Sequence, residues 1–131
     1  MQECIINSPL GFTKIIGDIQ GIASITILNS STRIAKLNEL FSVVTAFNPS
    51  KVFIHTAPWE ILSCCLADAL RSSTTIQCYL LNISDDRFWP GITCFEYIID
   101  FRSYGHNINK LLKGKVEDKL IIIPTPAYLD K

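Results

Sequence analysis

Two apolar segments with the look of strands, Lys51-Val52-Phe53-Ile54-His55 and Thr75-Ile76-Gln77-Cys78-Tyr79-Leu80-Leu81, are separated by one stretch with helical spacing. In that stretch Pro58 suits a first turn, where a missing donor costs nothing. Ile61, Leu62, Cys65, Leu66 and Ala69 recur as one face, and the run ends near Arg71. Strands joined through a helix cannot close as a hairpin; they lie as parallel neighbours with the helix packed on the sheet. Residues 51–81 therefore predict a βαβ unit, which excludes an all-β sandwich.

A second helix precedes it. Ser30 or Ser31 can cap a helix that begins near Thr32. Ile34, Leu37, Phe41 and Val44 form its apolar stripe, with Arg33, Lys36, Glu39 and Ser42 opposite. Asn48-Pro49 stops it, because a residue before proline is biased away from helix. The N-terminal third reads as short strands: residues 4–6, 12–16 and 22–28, with turn signals at Asn7-Ser8-Pro9-Leu10-Gly11 and Gly17-Asp18-Ile19-Gln20-Gly21. These predict antiparallel hairpins. Further strands fall within 92–101 and 119–123, with a short helix over Asn107–Lys113 whose Ile108, Leu111 and Leu112 turn inward. Hairpins followed by βαβ units approximate a ribonuclease-H-like mixed sheet; a small doubly wound α/β sheet is the alternative. With 131 residues, the expectation is one α/β domain over 1–131.

Charge constrains function next. Twelve basic residues balance twelve acidic ones, and only 18% of residues are charged. That excludes a disordered tail and a strongly basic nucleic-acid binder. A surface poor in charge suits a protein that lies against a partner. The absence of a long apolar run argues against a membrane span. Met1-Gln2-Glu3-Cys4 has no basic flank of a secretory signal, so an intracellular setting, cytoplasmic or nuclear, is expected. Five cysteines, an odd number with no CxxC spacing, read as thiols rather than a disulfide framework.

Several constellations bear on chemistry. A metal-dependent phosphodiesterase or nuclease on this fold needs converging acids to hold magnesium and activate water. Glu3, Asp100 and one of Asp85 or Asp86 are the candidates. No phosphate-loop or dinucleotide fingerprint is present, so no cofactor is expected otherwise. Cys64 or Cys65 beside His55 lacks a third group to orient the imidazole. Arg102, Lys110, Lys113, Lys115 and Lys119, with Tyr104 to stack on a base, make a mild basic cluster that suits weak nucleic-acid contact. Phe88-Trp89-Pro90 offers aromatic anchors for a protein partner or for self-association, tryptophan being a frequent interface hot spot.

The strand Ile22-Ala23-Ser24-Ile25-Thr26-Ile27 followed by the Leu37–Val52 region, with its phrase Asn48-Pro49-Ser50-Lys51-Val52, resembles the connector domain of MutS-type mismatch-repair proteins. The likeness covers roughly residues 20–56. It implies a ribonuclease-H-like domain without a nuclease centre, one that contacts other modules in a DNA repair or recombination assembly. The expected function is thus a non-catalytic interaction or connector domain, with the nuclease and a structural homo-oligomer as alternatives.

Overall fold

The computed structural model describes residues 3–4, 25–84, 91–113 and 118–123. The chain forms two compact units, Met1–Ser42 and Val43–Lys131. In order, the elements are β1 (Glu3–Cys4), β2 (Ile25–Thr26), α1 (Arg33–Phe47), β3 (Lys51–Ile54), α2 (Ile61–Ser73), β4 (Gln77–Asn82), a 3-10 turn (Ile92–Cys94), β5 (Tyr97–Asp100), α3 (Ser103–Lys113) and β6 (Leu120–Ile122).

In the first unit β1 and β2 pair in parallel, Glu3 opposite Ile25 and Cys4 opposite Thr26. This corrects the expected antiparallel pairing for these residues. A parallel pair needs a crossover rather than a tight turn between its strands. The strand and turns expected within 5–24 lie outside the described residues. Thr32 caps α1, its Oγ1 accepting from the Ala35 amide at 3.2 Å. The loop before the cap is tied to the helix: the Glu39 carboxylate accepts from Asn29 N, Ser30 N and Ser30 Oγ at 3.2, 3.1 and 2.5 Å. The Ser30 hydroxyl, then the Asn29 amide, hold this exposed carboxyl below its ordinary 4.5. At its other end α1 stops at Asn48, whose left-handed φ of 48° turns the chain into Pro49.

The second unit is a four-stranded sheet, wholly parallel, in the order β3-β4-β5-β6. The βαβ unit expected over 51–81 is present as β3-α2-β4. The described strands run in sequence order without reversal, whereas a doubly wound sheet reverses and opens a ligand crevice at that point. These strands therefore form no such crevice.

Strand alternation separates two rows. Ile54, Leu80, Ile98 and Leu120 align on one face by register. With Leu66, Ala67 and Leu70 of α2 and with Phe95, the first three of these are buried and build the core. Phe53, Tyr79 and Tyr97 align on the other face, ring centroids 5.1 and 4.8 Å apart, with Lys51 Nζ 5.7 Å over the Tyr79 ring. Such cross-strand aromatic pairs contribute about 0.5–1.5 kcal/mol each beyond area burial.

Two helical faces differ from the sequence expectation. On α2 the buried set is Leu66, Ala67 and Leu70, while Ile61 and Cys65 are exposed. The helix begins later than Pro58 suggested, because Glu60 is the cap: its carboxylate accepts from Ser63 N at 2.9 Å. On α3 Leu111 is 83% exposed, Ile108 is half-buried and Asn109 turns inward, while the Leu112 side chain lies outside the described residues. A buried carboxylate beneath the helix, Asp100, sets that face.

Candidate functional site

Asp100 ends β5 directly opposite Asn82, which ends β4. Both are completely buried, as is Asn109 on α3. A buried carboxylate is tolerable only with donors around it. Two carboxamides supply them: Asn82 Nδ2 donates to Asp100 Oδ1 at 2.7 Å and Asn109 Nδ2 donates to the same oxygen at 2.6 Å. Asn82 also accepts from the Ser84 amide at 3.3 Å, so it holds the start of the loop after β4. The other oxygen, Asp100 Oδ2, faces His106 Nδ1 at 3.3 Å, and neither atom has a well-formed hydrogen bond or access to solvent. The cluster points into the domain and pins α3 to the strand ends.

This geometry bears on the magnesium-dependent alternative. Asp100 spends one oxygen on two amides and buries the other. Asp85 and Asp86 lie outside the described residues, and Glu3 belongs to the other unit. Among the described residues, no group of three histidines, cysteines or acids could hold a metal ion.

The basic cluster is dispersed in role. Lys119 Nζ donates to the Phe95 carbonyl at 3.0 Å, and Arg102 Nη2 donates to the Ile83 carbonyl at 3.3 Å. These cations tie loops together. Lys110 and Tyr104 are exposed on α3. The Lys113 side chain and Lys115 lie outside the described residues.

Phe88, Trp89 and Pro90, the expected anchors, also lie outside them. The other tryptophan stands out instead. After β3, the turn closed by the Glu60 amide on the Ala57 carbonyl at 3.0 Å brings Trp59 to the surface just ahead of α2. Trp59 is 77% exposed and Ile61 58%. Together with Pro58, Glu60, Cys64 and Gly91 they line an open groove of about 230 Å³. The Glu60 carboxylate is committed to Ser63, whose amide and hydroxyl it accepts from at 2.9 and 3.1 Å. The remaining lining is apolar or weakly polar. Gly91 is fixed by two demands: its φ of 75° is left-handed, and a Cβ there would stand 2.8 Å from Cys64 Sγ.

Cys64 and Cys78 hold little thiolate at neutral pH, which disfavours either as a catalytic nucleophile. Burial pushes Cys64 up to about 11, and Cys78 up to about 12 with the Glu96 carboxylate adding to it. His55 is exposed beyond the end of β3. The sequence signal for Trp59 was present in Pro58-Trp59-Glu60: a proline, an aromatic and a capping acid just outside a helix leave the ring no core to enter.

No protein-family model, curated protein or solved structure matches the chain. No helix among the described residues is long and apolar enough to cross a membrane.

Proposed function

We propose that this chain is a non-catalytic interaction domain that seats an apolar side chain of a protein partner in the groove beside Trp59. One observation carries the reading: a tryptophan with most of its surface in solvent stands on the rim of a groove lined by Pro58, Ile61 and Cys64. Tryptophan at such a place is costly to leave wet and is the residue type that dominates binding energy when covered. The commitment of Asp100 to structural amides supports a non-catalytic role over the nuclease.

The likeness of residues 20–56 to the MutS connector domain supports a setting in a DNA repair or recombination assembly, and the low charge supports contact with protein rather than nucleic acid. The ribonuclease-H-like topology rested on leading hairpins, and the parallel β1–β2 pair removes that support. A singly wound parallel α/β sheet is the better reading.

The test uses a displayed random-peptide library. Peptides retained by the full chain should share an aliphatic or aromatic anchor and lose at least about tenfold in affinity against Trp59→Ala. Affinity unchanged in Trp59→Ala but lost in Trp89→Ala would move the site to Phe88-Trp89-Pro90. Concentration-dependent mass abolished by Trp59→Ala would make a second copy the occupant instead.

A further inference from the structure

Cys64 on α2 and Cys94 at the end of the 3-10 turn approach the same point. The position where a Cβ on Gly91 would stand is 2.8 Å from Cys64 Sγ and 3.7 Å from Cys94 Sγ. The two sulfurs are thus no farther apart than those two distances laid end to end. Any side chain at Gly91 would crowd the sulfurs at this point. Turning one χ1 to another staggered position moves a sulfur by roughly 3 Å, enough to bring such a pair toward bonding distance. Neither residue is fully buried. The neighbouring Cys65 is exposed, its side chain about 100° round the helix from that of Cys64.

We propose that Cys64 and Cys94 are an oxidation site that closes into an intramolecular disulfide, clasping α2 to the 3-10 turn. This inference is independent of the binding reading. With glutathione disulfide as oxidant, one cysteine thiolate attacks a glutathione sulfur, breaking the S–S bond and releasing one glutathione thiolate. The second cysteine thiolate then attacks the protein sulfur of the mixed disulfide and expels the other glutathione. The protein loses two protons and two electrons, and glutathione disulfide becomes two glutathione thiols.

Burial raises both thiols, Cys64 to about 11. The clasp therefore forms slowly at neutral pH, and its rate climbs about tenfold per pH unit in mildly alkaline solution. Once formed, it stiffens the wall of the Trp59 groove to which Cys64 belongs.

The experiment equilibrates the full chain in glutathione redox buffers, quenches with acid and maps disulfides by peptide mass spectrometry. The expected product is a monomer lighter by two hydrogens with a single Cys64–Cys94 bond. That bond should be absent in Cys64→Ser and in Cys94→Ser and retained in Cys65→Ser, with circular dichroism confirming that each variant is folded. Bonds that use Cys4 or Cys65, disulfide-linked dimers, glutathione adducts that never resolve, or no oxidation at all would each overturn the proposal.

Discussion

Two regions of the second unit treat their side chains in opposite ways. At the carboxyl ends of β4 and β5, polar groups turn inward: Asp100 and Asn82 are completely buried, and Asn82 and, from α3, the buried Asn109 both donate to Asp100. At the head of α2, apolar groups turn outward: Trp59 and Ile61 stand in solvent over an open groove. The strand ends are where a parallel α/β sheet ordinarily places its chemistry, yet here they serve as a structural lock. The lesson is that a residue type reports function only with its direction. An inward acid between two carboxamides has its hydrogen bonds met inside the fold, and an outward tryptophan on a groove is what the proposed binding reading rests on.

The comparison breaks most sharply at Asp100. Replacing it with alanine strands two buried carboxamides and removes the partner of His106, which costs about 3–5 kcal/mol of stability. Chemical denaturation reads this directly. A catalytic acid held for function would behave oppositely, its removal leaving stability unchanged or improved. Leu70→Ala, deep under the same sheet, serves as a scale and should cost about 2–5 kcal/mol.

Gly91→Ala comes next. The left-handed φ and the 2.8 Å approach to Cys64 Sγ predict a loss of about 1–2 kcal/mol. Combining it with Cys64→Ala should recover the steric share, and a double-mutant cycle without coupling would refute the close approach.

Smaller still is Trp59→Ala, whose effect on stability should stay within about 0.5 kcal/mol because little of the ring is buried. The smallest effect concerns Glu39. Its carboxyl is held low in the folded chain, so its contribution is present above the ordinary 4.5 and disappears as pH falls through the folded value. Glu39→Gln should flatten that acid limb of the stability profile slightly; a steeper limb would contradict the clamp on Asn29 and Ser30.

Much of the second unit was legible because β3, α2 and β4 each agree with their own periodicity. The βαβ unit follows from 51–81 alone, and the stop at Asn48-Pro49 is where the chain turns. What misled was facing. Ile61 and Cys65 fit a helical stripe as well as Leu66 and Leu70 do, and only the sheet decides which stripe is covered. On α3 the same ambiguity hid Asn109, since a buried amide is predicted only by knowing that Asp100 lies beneath it. The pairing of β1 was illegible for a different reason: a two-residue strand carries no register information of its own. Trp59 is legible from its place between a proline and a capping acid, whereas Phe88-Trp89-Pro90 stands out in the sequence by bulk alone.

The central claim is that the groove beside Trp59 binds and the acids do not react. Isothermal titration of a library-selected peptide into the wild-type chain and into Trp59→Ala tests it most directly, with denaturation midpoints measured alongside. The account predicts an affinity loss of at least about tenfold with an unchanged midpoint. Equal affinity for both proteins, or a loss that merely follows a fall in stability, would contradict it.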